Sequence, residues 1–111
     1  MDFDKAFSMT IDGRAVSGAS TFDVINPATE AVIAQAPDAS REQLDSAVAA
    51  ARRAFPAWSA TPIAARRAML DKLGDAILAN IDGLKRVLTA EQGKSHADAE
   101  GEIGGAGMWL K

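Results

Sequence analysis

His96 is the chain's single histidine, and cysteine is absent. A thiolate nucleophile, a thiolate metal site and a disulfide are thereby excluded from these 111 residues. A lone imidazole also has no second nitrogen or sulfur donor with which to close a zinc site. His96 stands beside Lys94 and Asp98, in the first turn of an expected helix, and reads as a surface residue rather than a general base. Glu100 and Glu102 are two positions apart, so on a helix they point about 160–200° from each other and cannot work as a close acid–base pair. Lys94 directly follows Gly93, where an ammonium can reach the carbonyls that end a helix. Ser17, Ser20 and Ser59 have no base in view. The run Gly101-Glu102-Ile103-Gly104-Gly105 is rich in glycine, but it follows a helical signal rather than a strand and lacks the GxGxxG spacing of a dinucleotide loop. No self-sufficient active site is legible.

The elements that would position these groups are organised around residues 40–80. Ser40 with Gln43 three positions on has the spacing of a capping box. Leu44, Val48, Ala51 and Phe55 follow at helical intervals and form an apolar stripe. Pro56 is expected to end this helix near Phe55, because proline has no N–H and clashes with the preceding turn. Trp58 is then expected in the corner, mostly buried, with Phe55 close by. Thr61 and Pro62 restart the chain as N-cap and first helical residue. Met69, Leu73, Ala76, Ile77 and Ile81 form the second stripe. A third helix is predicted from about Asp82 to Gln92, stopped by Gly93. Ser95, with Asp98 at the capping-box position, opens a fourth segment. Its four glycines each cost a helix about 0.8–1 kcal/mol relative to alanine, so it can be helical only if close packing compensates.

Ahead of the helices, residues 5–37 predict two short β-hairpins. Phe7, Met9 and Ile11 alternate with polar residues, Asp12-Gly13 is a two-residue turn, and Arg14 to Val16 returns. Thr21 to Ile25 and Ala31 to Ala36 flank the turn Asn26-Pro27-Ala28-Thr29, with Pro37 as the expected end of the second strand. Isolated hairpins are marginal in water and need a further surface. The self-consistent local structure is therefore expected over residues 38–92, with both ends dependent on partners.

Hydrophobic residues make up 48% of the chain, yet 24 positions are alanine and only 5% are aromatic. Such a chain can be helical without owning a thick core. A net charge of −3 and a pI near 5.0 argue against a nucleic-acid partner. The basic pairs Arg52-Arg53, Arg66-Arg67 and Lys85-Arg86 read as solvated helix faces. No apolar run approaches the ~18 residues that span a membrane, and the acidic start lacks the apolar region of a secretory signal.

Five segments in series resemble the NAD(P)-dependent aldehyde dehydrogenases. Phe22-Asp23-Val24-Ile25-Asn26-Pro27-Ala28-Thr29-Glu30-Ala31-Val32-Ile33-Ala34 is similar to that family's NPAT(G/E)-x-V-I-A hairpin. Ala47 to Ala51 with Ala54, Phe55 and Trp58 resembles its A-V-x-A-A-x-x-A-F-x-x-W helix. Arg66 to Leu70 with Leu73 and Asp75 resembles the next helix. Thr89-Ala90-Glu91-Gln92-Gly93-Lys94 is similar to its T-x-E-x-GK segment, with Ser95 where the family has proline. Gly101-Glu102-Ile103 with Trp109-Leu110 resembles the helix after that.

The resemblance implies an α/β family fold, of which residues 1–111 are the N-terminal part of the coenzyme-binding domain: hairpins over 5–37, helices over 40–111. It implies oxidation of a small-molecule aldehyde to a carboxylate with NAD or NADP as hydride acceptor, in a homo-oligomer; a cytoplasmic location is expected from the lack of cysteine. The family's catalytic cysteine, general-base glutamate, oxyanion-hole asparagine and ribose-binding lysine would follow Lys111. No catalytic or coenzyme-binding residue is therefore carried over. The chain alone is expected to be inactive, to bind no coenzyme, and to be a fragment, a truncated product or a cut piece. The competing expectations are a non-catalytic chain that at most docks on intact subunits, and an independent helical binding domain, disfavoured because its strands and glycine-rich tail lack partners. One site carries over: a structural monovalent cation held by the backbone carbonyl of Ile25 and the side chain of Glu102.

Overall fold

A computed structural model describes residues 7–111. The part of the expected first hairpin at residues 5 and 6 lies outside them. Four strands precede four helices: β1 Met9–Ile11, β2 Arg14–Val16, β3 Ser20–Ile25, β4 Val32–Asp38, α1 Arg41–Ala60, α2 Ile63–Ala79, α3 Ile81–Gln92 and α4 His96–Trp109. The chain divides into two compact units. One comprises Ile25–Ile33 and Pro62–Lys111; the other comprises the described part of Ala6–Val24 together with Ala34–Thr61. No helix among the described residues is long and apolar enough to cross a membrane.

Both hairpins form as the sequence predicts. β1 and β2 pair antiparallel with Met9 opposite Val16 and Ile11 opposite Arg14. Asp12 and Gly13 both have positive φ, 54° and 72°, which is the turn that matches the twist of two flanking strands. β3 and β4 form the second antiparallel pair. Pro37 does not end β4 but lies inside it. A two-stranded sheet has only edges, so a residue without an N–H can face away from the ladder.

In the unit of β1, β2 and α1, Ser40 and Gln43 make the full capping box. The Gln43 amide does more than close the helix. Its Oε1 also accepts from the Ala19 N–H at 3.2 Å, and its Nε2 donates to the Ser17 carbonyl at 2.9 Å. α1 then continues through Pro56 to Ala60, against the expectation that it stops near Phe55. Proline removes one helical bond, that to the Arg52 carbonyl. The last turn regains side-chain bonds: Ser59 donates to the Pro56 carbonyl at 2.9 Å and Thr61 to the Ala57 carbonyl at 3.0 Å. The Thr61 hydroxyl thus finishes α1 instead of starting α2, whose N-cap is Pro62 with no side-chain bond. Because the helix does not break, there is no corner at Trp58, which is 42% exposed; Phe55 is exposed as well. The predicted stripe of Leu44, Val48 and Phe55 is open, and Ala50 is the buried residue of α1.

In the other unit, α4 packs against both α2 and α3. Here the expectation that the tail lacks a partner is overturned. Ala99 is wholly buried, Ile103 is 9% exposed and Gly107 is buried, so α4 has more buried residues than any of the other helices. The compensation for its glycines is local and specific. A Cβ on Gly74 of α2 would stand 2.7 Å from the Gly107 carbonyl oxygen, and a Cβ on Gly107 would stand 2.8 Å from Leu78. Two glycines let the helix backbones approach more closely than any side chain would allow. The buried position of α2 is Gly74, while Met69 and Leu73 of the expected stripe are exposed.

Candidate functional site

The α3–α4 joint gathers the groups whose chemistry the sequence singles out. α3 ends at Gly93, left-handed at φ 74°, with its N–H bonded to the Thr89 carbonyl. Two residues on, Ser95 caps α4: its Oγ accepts from the Asp98 N–H at 3.1 Å and donates to the Asp98 carboxylate at 2.7 Å. Lys94 is held between a helix stop and a helix start, and its position is narrowly defined. Its ammonium bonds the Glu102 carboxylate, two turns along α4, rather than the carbonyls that end α3. Lys94 is therefore a partner of the candidate cation ligand.

Glu100 leaves the helix in another direction, as the two-residue spacing predicts. It accepts from Lys85 of α3 at 2.8 Å, and Lys85 also reaches Asp82 at 2.8 Å. The Lys85 hydrogen bond, and then its charge, hold the Asp82 carboxyl below the ordinary carboxylate range. The bonds to Asp82 and then Glu100 raise Lys85 above the usual lysine value. This trio ties α3 to α4. His96 is exposed, with its Nδ1 3.4 Å from the Thr89 hydroxyl. Among the described residues, no three His, Cys, Asp or Glu side chains group so as to hold a metal.

A groove of about 280 Å³ runs between α3 and α4. Leu84, Val87, Leu88, Ile103 and Ala106 line it, with Glu91 and Glu102 as its polar members. Glu91, which the sequence offers only as part of the T-x-E-x-GK resemblance, enters the groove from the same face of α3 as Val87 and Leu88. Ile25 ends β3, with an exposed side chain. The turn after it is tightly built. Asn26 accepts from the Ala28 N–H through its side chain at 2.9 Å and from the Glu30 N–H through its carbonyl at 2.8 Å. Glu30 closes the turn at φ 58°. Pro27 of this turn meets the α3–α4 joint: a Cβ on Gly93 would lie 3.0 Å from its ring.

This order of hairpin, helices, glycine stop and capped glycine-rich helix matches known proteins. The aldehyde dehydrogenase family profile fits residues 15–111. A probable aldehyde dehydrogenase of Pseudomonas sp. is 43% identical over 106 residues, covering 96% of this chain and 22% of that protein. The mitochondrial acylating methylmalonate-semialdehyde/malonate-semialdehyde dehydrogenase of Rattus norvegicus is 41% identical over 95 residues, covering 84% and 18%. The crystal structure of an NAD-dependent aldehyde dehydrogenase from Sinorhizobium meliloti superposes with a TM-score of 0.89 at 37% identity, covering 97% of this chain and 23% of that one. The chain belongs to the aldehyde dehydrogenase family, and it spans about a fifth of the length of the relatives it matches.

Proposed function

We propose that this chain is the amino-terminal part of the coenzyme-binding domain of an NAD(P)-dependent aldehyde dehydrogenase, and that residues 1–111 by themselves do no chemistry. The reaction of the whole would oxidise an aldehyde and water to a carboxylate, with the hydride passing to the nicotinamide and two protons released. The observation that carries the reading is the agreement of nearly the whole chain with a solved family member in both sequence and fold. NAD(P) as acceptor is supported by the coenzyme named for that member. The chain's own part is structural. It contains no cysteine to supply a thiolate. Its exposed apolar side chains, among them Ile63, Met108 and Trp109 at 91%, are of the kind that a further protein surface covers. A homo-oligomer in the cytoplasm belongs to the same reading. The cation ligands proposed with it are the Ile25 carbonyl and the Glu102 carboxylate, oxygen donors suited to a hard ion. Pro27, two residues after Ile25, lies against Gly93 beside the residue that holds Glu102.

The test has two arms. The purified chain with a panel of aldehydes and NAD or NADP should give no NAD(P)H above a blank. Added to a family enzyme shortened by the matching amino-terminal segment, it should restore NAD(P)H formation. Turnover by the chain alone overturns the inactivity, and failure to restore any activity favours the second reading, a non-catalytic chain that at most docks on intact subunits. That reading is kept because no thiol is present.

A further inference from the structure

We propose that the open apolar stripe of α1 is a self-association surface, on which a second copy of the chain lays its own α1 in the antiparallel direction. The inference gives a surface to the homo-oligomer of the preceding reading. It rests on that reading only for the presence of a second copy and uses none of the family chemistry. α1 packs on β1, and its covered side is marked by Ala50, buried, with Gln43 and Ala47 half-buried. Leu44, Val48, Ala51, Phe55 and Trp58 make a separate stripe, and all five are exposed. They recur at intervals of four, three, four and three residues. That is the heptad spacing that keeps one seam facing a second helix along its whole length. Pro56 lies off this seam, and the helix runs through it to Ala60.

The charges select one arrangement of the two helices. Asp45 and Arg52 each follow a stripe residue, Leu44 and Ala51, so they stand on the same flank of the seam, and both are exposed. Let two copies run antiparallel about an axis level with Ala49 and Ala50. Leu44 then falls opposite Phe55 of the second copy and Val48 opposite Ala51. Asp45 faces Arg52 of the second copy, and by symmetry the pair occurs twice. Arg41 falls opposite Trp58, where a guanidinium can lie on the indole face. Asp45 already bonds Arg41 of its own helix at 3.6 Å, so in the pair it sits between two guanidinium groups. Sliding the copies by one heptad sets Arg52 against Arg52 or Asp45 against Asp45. A parallel in-register pair stacks Arg41 on Arg41 and brings Ala47 rather than an acid to Arg52. Only the first arrangement joins the apolar layers and the unlike charges together. Its seam is about 26 Å long, at the low end of specific interfaces, so the dimer should be weak and concentration-dependent.

Sedimentation of the 111-residue chain at rising concentration and low salt should show a monomer–dimer equilibrium. Asp45→Arg and Arg52→Asp should each raise the dissociation constant about ten-fold, because each turns two attractions into repulsions on the scale of exposed pairs. An equimolar mixture of the two variants restores unlike charges at both pairs and should associate about as tightly as the parent. Val48→Glu, at an exposed helical position, should keep the helical circular dichroism and abolish the dimer; it serves if a charge variant loses its helical signal. A parent chain that stays monomeric would leave the stripe to another occupant, such as further residues of a longer polypeptide. Association that survives Val48→Glu would run through another surface, such as that of Trp109. A mixture no tighter than the single variants would remove the antiparallel pairing. Each of these three results overturns the proposal. None depends on aldehyde turnover, so failure here is distinct from failure of the family reading.

Discussion

In the unit of α2, α3 and α4, two helix backbones meet at Gly74 and Gly107, and the buried apolar side chains are Ala99 and Ile103. In the unit of β1, β2 and α1, Ala50 is the buried apolar residue, and the long-range links are polar. Gln43 joins α1 to Ser17 and Ala19, Arg53 reaches Asp12 at 3.2 Å, and Ser20 donates to Asp38 at 3.0 Å. Among the described residues neither unit has a large side chain that is fully buried. One makes up for this by removing side chains so that backbones meet, and its strength lies in steric fit. The other uses a glutamine as a bracket, and its strength lies in hydrogen bonds that compete with water. Substitutions should therefore act in opposite ways: added bulk harms the first unit, lost polarity the second.

The largest effect is expected at the glycine crossing. Gly74→Ala puts a methyl 2.7 Å from the Gly107 carbonyl oxygen, a backbone atom that cannot swing aside. Overpacking of this kind costs about 1–3 kcal/mol, more than the ~1 kcal/mol that alanine regains in helix propensity. Gly101 has nothing within 4 Å of its would-be Cβ, so Gly101→Ala should stabilise α4 by about 0.8–1 kcal/mol. Urea denaturation of the two variants should give opposite signs. Equal signs would mean that the crossing does not hold the unit.

A smaller loss is expected from Gln43→Ala, at about 1–2 kcal/mol, because one side chain both closes the capping box and holds two backbone groups of the loop between β2 and β3. The Ala19 N–H keeps its 2.9 Å bond to the Asp38 carbonyl, so its exchange should rise only modestly, together with that at the start of α1. A faster Ala19 amide without change at α1 would show that the bracket and the cap are separable.

What could be read from the sequence follows the range of the interaction. Asp12-Gly13, Ser40 with Gln43, Gly93, and Ser95 with Asp98 each act within four residues, and each was legible. Gly74 and Gly107 are far apart in the chain and carry no side chain, so no periodicity marks them as a contact. The amphipathic stripes misled for a related reason. Leu44, Val48, Met69 and Leu73 have the spacing of a buried face yet are exposed, because spacing shows which residues share a face but not what that face meets. Pro56 misled because one lost bond does not break a helix whose last turn is tied by Ser59 and Thr61. At the candidate site, Glu102 came from resemblance. Its pairing with Lys94 depends on where the Gly93 cap aims the chain.

The turn after β3 offers a substitution of still smaller effect. Glu30 sits at φ 58°, where a residue with a Cβ is strained by about 1–2 kcal/mol. Glu30→Gly removes that strain but adds freedom to the unfolded chain, and the two terms nearly offset. A net gain of a few tenths of a kcal/mol up to about 1 is expected, seen as a higher urea midpoint. A loss would mean that the Glu30 side chain contributes to the turn beyond its backbone angle.

The smallest effect should be the pH response of the Lys85 trio, and it tests whether polarity also matters in the sterically held unit. Lys85 is raised above the usual lysine value in the folded chain, so its contribution is fully present below about pH 10.4 and is lost as pH climbs through the raised value. Asp82 is lowered, so its contribution is present above about pH 3.9 and is lost as pH falls toward the depressed value. Lys85→Met removes the hydrogen bonds behind both shifts. The difference in unfolding free energy between parent and variant should then be constant from about pH 4 to 10 and shrink at each end. Asp82 stays in the first turn of α3, where the helix dipole still favours its charge, so part of the acid response persists in the variant. The alkaline edge belongs to Lys85 alone and is the cleaner measurement. A difference that stays constant through the alkaline edge would show that the ammonium's bonds to Asp82 and Glu100 add nothing to the stability of α3 against α4, leaving that packing to Ile103 and the glycines.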